Sequence, residues 1–535
     1  MSTDPYPVVI AIDFGTTFSG CSYAVKHEEN VYDVVGWPKY QGFYGKVPTL
    51  LYYKNARLVD WGYGAHLVSL KPKQQGKLMK RFKMWLMDQE ADPTTVQTTI
   101  ADYLEHLHSH VLATLARQLK SYHPDHFCYC ITVPAIWSDQ AKGHMRQACV
   151  QAGILRPEDP LERLSLISEP EAAALYCQQL ADQHLHHGDC VMMIDAGGGT
   201  LDLSLYHVSH TTSAPILEEA IAGTGGACGS SDIDENLRIY LLSVLGPQAK
   251  DMPSCTMEDI LTKFVEYIKP EFDPQGPTIQ LDIPSAALAY IQDGLLSEDG
   301  CLPLDPLILA EQVFDPVVNK VTQLIQLQLD GLPRTVDLAF LVGGFGSSSY
   351  LYQAIHHRFV PANIKALMVP PRPDMAIARG AVYHILQPKR IHSKVLRVTY
   401  GLRTRLPFQQ GIDAEDRAIV TSDGIKRCAT RFDIIASKGQ VFQVGEKISR
   451  SFWVRYPKHT EADIYVYDGE APWPRYIDDT GVTKLVDFPI RMPMIEGAAH
   501  GDPIDITIDF VFGHSELQID VYVHGKHIQL TTLYR

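Results

Sequence analysis

Three apolar runs in this chain each end in a glycine-rich turn: DFGTTFSG at 13–20, DAGGGTLD at 195–202 and LVGGFGSS at 341–348. The first two share a sharper pattern, an Asp at the end of the run, then glycine, then Thr. Glycine lets backbone N–H groups approach a polyphosphate, and threonine hydroxyls add donors. Asp13 and Asp195 supply carboxylates for a hydrated magnesium ion, which prefers oxygen ligands and keeps several waters. One glycine turn says little, since any loop uses glycine. Three of them, each after an apolar run, point to phosphate binding. No GxxxxGKS or GxxxxGKT loop occurs, and the glycine spacing is not a dinucleotide fingerprint.

Such loops need rigid elements behind them. PVVIAID at 7–13 reads as a buried strand, Thr16 to Val25 as a second extended run, and Phe127 to Val133 as another strand. Ala101 to Ser121 reads as a helix, and Ser138 caps one running to about Gln151. Val191 to Asp195, Leu201 to Val208 and Asp337 to Val342 are further strands around the glycines. Alternating strands and helices mean an α/β fold. After about Pro388 the texture changes. Runs at 431–436, 451–456, 463–467, 504–512 and 517–523, and then Ile528 and Leu530, alternate or read as strands, so the last ~145 residues predict an antiparallel β domain.

Composition narrows the classes. The chain has 535 residues, 45% hydrophobic and 20% charged, enough for several packed domains and against extensive disorder. Its formal charge of −15 and lack of a long Lys/Arg run argue against a nucleic-acid partner. Ten scattered cysteines show no metal-ligand spacing; Cys128 and Cys130 share one strand face, and free thiols in a reducing compartment are expected. No secretory signal and no ~18-residue apolar span are read in the sequence.

Six ordered blocks resemble the heat-shock protein 70 family of the actin and sugar-kinase superfamily: VIAIDFGTTFSG, ITVPAIWSDQAKGHMRQACVQAGI, LISEPEAAALY, MMIDAGGGTLDLSLY, LAFLVGGFGSSSYL and PDMAIARGAVYHIL. The resemblance implies a two-lobed actin-like ATPase domain with duplicated mixed sheets over residues 6–388, lobe I about 6–188 plus 374–388 and lobe II about 189–373. ATP or ADP and Mg2+ are the implied cofactors, with K+ a further candidate. Matching motifs give Gly15, Thr16 and Thr17 to the β- and γ-phosphates, Gly197, Gly198 and Gly199 to the opposite lobe's donors, and Thr200 and Asp202 to the same contact. Asp13, Glu169 and Asp195 are expected around the metal and attacking water, with Asp13 and Asp195 as metal carboxylates. The phosphate lysine is Lys83, with Lys80 as its rival. Pro134 and Lys142 match a proline switch. Glu266, Lys269, Gly343, Gly344, Phe345 and Asp374 complete the expected nucleotide contacts.

Departures accompany the match. Two adenine-stacking arginines of the family fall at Pro270 and Ser347, leaving Phe345 as a candidate aromatic face or, alternatively, a hydrophobic plug. The junction KRIHSKVLRVTYG replaces the family's leucine-rich acidic linker. Residues 389–535 resemble its β-sandwich peptide-binding domain, and the chain stops at Arg535 before a helical lid, most like the divergent lidless heat-shock 70 kDa protein 12 branch.

Other sharp readings are weaker. His184, His186 and His187 are expected in a solvated loop rather than a metal site, and His106 and His110 on an exposed helix face rather than chelating. Asp232 and Asp234 lack the other ligands of a calcium loop and match the family's lobe-closing acidic segment. No GxSxG elbow or HExxH pair occurs. The resemblance implies a slowly ATP-hydrolysing chaperone-like switch in the cytoplasm or nucleus, with a polypeptide client or protein partner at its β domain and no membrane span. A nucleotide sensor or scaffold with little turnover, and a small-molecule kinase, are the alternatives.

Overall fold

In the computed structural model, residues 4–532 are described except 29, 72–75, 89, 182–184, 211–214, 422 and 514; His184 therefore lies outside the described residues. The chain divides into two compact units. The first comprises residues 1–217 and 223–390, the second residues 218–222 and 391–535.

The apolar runs before the glycine turns become central strands of the first unit. β1 (Val8–Asp13) is buried along its whole length and pairs antiparallel with β2 (Phe18–Val25), which carries a short third strand, β3 (Lys46–Pro48). A strand buried on both faces reads as an unbroken apolar run rather than an alternating one, as VVIAID does. Helix α1 (Pro93–Gln118) packs into the same core, as do β4 (Phe127–Val133), α2 (Asp139–Gln151) and β5 (Leu164–Ser168). β4 pairs parallel with both β1 and β5. α1 begins two turns earlier than its sequence periodicity predicts. Its first turns, PTTVQTT, are polar and hide the helix, but Asp92 accepts from Thr95 N at 2.9 Å and Pro93 suits the first helical position. Ser138 caps α2 as expected, accepting from Ala141 N at 3.2 Å.

The same pairing pattern then recurs. After α3 (Glu169–Ala181), β6 (Cys190–Ala196) pairs antiparallel with β7 (Leu201–His210) and parallel with β8 (Val336–Val342). β9 (Ile364–Met368) extends this sheet beside β8. Finally α4 (Ala376–Leu386) lies against α3, so close that a Cβ on Gly380 would sit 1.7 Å from Ala172 O. Only glycine fits that crossing.

The second unit is antiparallel. One sheet runs Ala418–Val420, β11 (Lys426–Ala436), β10 (Thr399–Pro407), β13 (Thr460–Tyr467), β14 (Val482–Ile490), and the other β12 (Glu446–Arg455), β15 (Pro503–Phe512), β16 (Leu517–Val523), β17 (Lys526–Thr532). Leu402, Ile464 and Phe488 of the first sheet share one core with Ile506, Ile508, Phe510, Ile519 and Val521 of the second. The alternation of Ile504, Ile506 and Ile508 with Asp505 and Thr507 is the mark of a sheet with one buried face. The junction expected as a linker is itself a strand, Ile391–Val395, paired with Val441–Gln443 and tied by Val395 N to Glu219 Oε2 at 2.8 Å.

All ten cysteines are free thiols. No helix among the described residues is long and apolar enough to cross a membrane. His106 and His110 do not lie on an exposed face: both are half-buried, His106 ring to ring with Trp61 at 6.2 Å and His110 with Trp37 at 5.0 Å. Alternation of polar and apolar residues on α1 gave no hint of these tryptophans, which arrive from distant segments.

Candidate functional site

β1 ends in the buried Asp13, β6 carries the buried Asp195 one residue before its end, and the turns that follow them meet. A Cβ on Gly198 would fall 2.1 Å from Thr17 Oγ1, and one on Gly199 would fall 2.6 Å from Thr16 Cγ2. The two Gly–Thr loops therefore face each other without an intervening side chain. The first is pinned by Thr49, whose N–H donates to Thr17 O and whose hydroxyl donates to Gly15 O, both at 2.8 Å. The second is pinned from behind by the first residues of helix Ser230–Val244: Ser230 and Ser231 N–H donate to the Gly197 and Gly198 carbonyls at 3.1 and 2.9 Å. Gly343, at φ +85°, brings the third loop against the second, where a Cβ would lie 2.3 Å from Ala196 O and 2.6 Å from Asp195 Oδ1. Here glycine is required both by backbone conformation and by space.

Beneath the loops lies a buried charge cluster. Asp13, Glu169, Asp195 and Asp202 are each at most 5% exposed. Asp202 Oδ1 accepts from Ala135 N at 2.8 Å, next to the buried Pro134. Glu169 pairs with Lys83, itself 2% exposed, and the ammonium sits 5.5 Å from the Trp137 ring centroid. Asp13 is engaged at both oxygens, by Lys46 and by Thr132 Oγ1 at 3.1 Å. Asp195 differs. Its Oδ1 is buried with no hydrogen-bond partner among the described residues.

This crowding moves the protons. Burial, then the neighbouring Glu169, Asp202 and Asp13 carboxylates, push the Asp195 carboxyl well above its usual range, against the pull of Lys83. Burial also lifts Glu169, to about 7, although Lys83 opposes it. A buried carboxyl crowded by other carboxylates, with one oxygen that no described residue hydrogen-bonds, is a setting in which a cation and its waters are stabilising, so the chemistry of the Asp195 side suits a hydrated magnesium ion. Asp13, already paired, offers it less.

The other predicted residues divide clearly. Lys83 belongs to the cluster, whereas Lys80 is 51% exposed and pairs with Glu258 at 2.6 Å. Between them Arg81 takes a left-handed conformation, φ +59°, which turns the 3-10 helix Phe82–Met87 inward. Thr200 is buried on the second loop. Lys269 donates to Ser230 O and Asp234 Oδ1 at 2.6 and 2.5 Å, behind that loop. Glu266 and Gly344 are exposed, and Asp374 is held by Arg372 at 3.1 Å, so none of these joins the carboxylate cluster. Phe345 is only 4% exposed, which favours the plug over an aromatic face. Lys142 bonds Asp139 at 3.2 Å, and His186 is exposed. Sequence reasoning missed Lys46, Thr132 and Trp137. A lone lysine in the short apolar run KVPTLL was the signal available for the first of these.

Comparison with known proteins bears on the same elements. The family model described as "Hsp70 protein" matches residues 70–404, well over half the chain. The chain belongs to the Hsp70 family. It is an Hsp70-like ATP-binding protein, of the α/β class that the actin-like ATPase domain of this family has. It is 25% identical to Heat shock 70 kDa protein 12A of Homo sapiens over 608 residues, covering 96% of this chain and 89% of that protein. Against Heat shock 70 kDa protein 12B of Homo sapiens the identity is 23%, with the same coverage of each. Chaperone protein DnaK of Thermotoga maritima is 24% identical, covering 94% of this chain and 76% of its own length.

Proposed function

We propose that this chain is a slow ATPase switch: it binds ATP with Mg2+, hydrolyses it to ADP and phosphate, and uses nucleotide state to bias its C-terminal β unit between two binding states. The observation that carries the reading is the meeting of two Gly–Thr loops over a buried carboxylate cluster in which Asp195 Oδ1 has no hydrogen-bond partner among the described residues. On this reading residues 6–388 are a two-lobed ATPase domain with duplicated sheets, supported by the repeated β1–β2–β4 and β6–β7–β8 pairing. Residues 389–535 are a sandwich that takes an extended polypeptide by strand addition. Ten free thiols suit a reducing compartment, the cytoplasm or nucleus.

Each residue then has a role. Thr16, Thr17 and the N–H groups of Gly197, Gly198 and Gly199 hold the β- and γ-phosphates. Lys83 balances charge that spreads onto the γ-phosphoryl oxygens. Glu169 and Thr200 orient the water whose oxygen bonds to phosphorus as the bridge to the β-phosphate breaks. Asp195 would hold a hydrated magnesium ion, which would supply positive charge to the phosphates. Such catalysis is mostly positioning and electrostatics.

The test is calorimetric titration with ATP and ADP in magnesium, with phosphate release followed on the same sample. Binding with slow release supports the switch, and no binding in magnesium sinks it. Binding without release supports a second reading, a nucleotide sensor. Pro270 and Ser347 favour the sensor, because they stand where adenine-stacking arginines are expected. ADP formation that depends on an added sugar and yields no matching free phosphate would instead reveal a kinase.

A further inference from the structure

Asp13, Gly20 and Lys46 stand in one row across three strands. Asp13 closes β1 opposite Gly20 of β2, and Gly20 is opposite Lys46 of β3. Residues directly opposite one another across strands project to the same face, so the aspartate and the lysine share a face with a side-chain-free position between them. The lysine uses that space. Its stem crosses over Gly20, where a Cβ would lie 2.9 Å from Lys46 Cδ and 3.1 Å from Cε. Its ammonium ends on Asp13 Oδ2. Among the described residues Asp13 is its one hydrogen-bond partner, which leaves two N–H donors for a ligand.

The pair is 6% and 3% exposed, on the strand positions that flank the turn carrying Gly15, Thr16 and Thr17. A buried ion pair is a poor way to stabilise a sheet, since apolar residues of similar size do as well or better. This one also requires a glycine at position 20. The contrast with the other Gly–Thr loop is direct: Asp13 is ion-paired to Lys46, whereas Asp195 Oδ1 has no hydrogen-bond partner among the described residues.

We propose that Lys46 is a built-in cation of the phosphate site, neutralising Asp13 and donating its remaining N–H groups to nucleotide phosphates, so that ADP and ATP bind without a divalent ion. The proposal rests on the nucleotide site argued above. It makes the lysine a binding residue outside every glycine motif, and it separates phosphate affinity from the metal that Asp195 would hold for turnover.

The experiment is titration of the full chain with ADP by calorimetry, in excess EDTA and again in magnesium. The parent should bind in EDTA within about tenfold of its magnesium affinity. Lys46→Met should lose about 10- to 100-fold in EDTA, the scale of a charge-assisted hydrogen bond, and recover most of it in magnesium. The double variant Lys46→Met, Asp13→Asn leaves no unpaired buried charge, so it keeps the test decisive if the single variant unfolds; it should show the same magnesium dependence. Gly20→Ala, which pushes the stem aside, should shift the EDTA affinity in the same direction. A parent that binds in magnesium but loses more than about 100-fold in EDTA overturns the proposal. So do lysine variants whose EDTA-to-magnesium ratio equals the parent's. Absence of binding in both conditions is a different failure, that of the nucleotide site itself.

Discussion

Asp195 in the first unit and Asp413 in the second are both buried carboxylates, and their surroundings are opposed. Asp413 has a fully buried side chain that accepts from Gln409 N at 2.8 Å, Arg475 at 2.9 Å and Tyr476 at 2.9 Å, with Arg431 at 3.3 Å. Burial alone would raise it, but the Gln409 N–H, Arg475 and Tyr476 outweigh burial and hold it at about 2. Asp195 has three carboxylates for neighbours and an oxygen without a hydrogen-bond partner among the described residues, and it is pushed the other way. A satisfied buried carboxylate helps to fix a fold, whereas a buried carboxyl with an unsatisfied oxygen is a candidate for binding a ligand.

That contrast can be broken most easily by removing each carboxylate. Asp413→Ala leaves two arginines without their shared partner and should lower unfolding free energy by about 3–5 kcal/mol in chemical denaturation. A loss below about 1 kcal/mol would mean that Asp413 is not the hub its contacts describe. Asp195→Asn should instead slow phosphate release about 100- to 1,000-fold while raising the melting temperature. A fall in melting temperature would make Asp195 a structural residue like Asp413.

pH sharpens the same comparison. A carboxyl raised in the folded state binds more protons there than in the unfolded chain, so its stability is present below the unfolded value, 4.5 for Glu169, and is lost as pH rises through about 7. Asp413 has the opposite sign: its contribution is present above 3.8 and lost as pH falls through about 2. Melting temperatures between pH 5 and 8 should therefore decline for the parent chain, and Glu169→Gln should flatten the slope. The smallest effect is expected at Lys80. Lys80→Ala removes a solvent-exposed pair, should change stability by less than about 1 kcal/mol, and should leave turnover unaltered, whereas Lys83→Met should impair turnover on the scale of Asp195→Asn.

Much of the first unit was legible because its strands are buried on both faces and its turns need glycine. VVIAID and VMMIDA could hardly be anything but central strands, and DFGTT and DAGGGT placed their aspartates at strand ends. The start of α1 was not legible, since a polar helical turn held by Asp92 has no apolar periodicity. Nor was the choice between Lys80 and Lys83. Three residues apart in LMKRFKM, they are chemically equal, and only the left-handed Arg81 between them sends one inward.

By itself, then, the sequence determined the α/β texture, the switch to antiparallel strands after about Pro388, and the loops that suit a polyphosphate, because periodicity and glycine spacing are local properties. Tertiary structure decided which charges meet. Lys46 reaches Asp13 across 33 residues and Lys83 reaches Glu169 across 86. Those pairings depend on strand register and on the empty space over Gly20, and no local pattern encodes either.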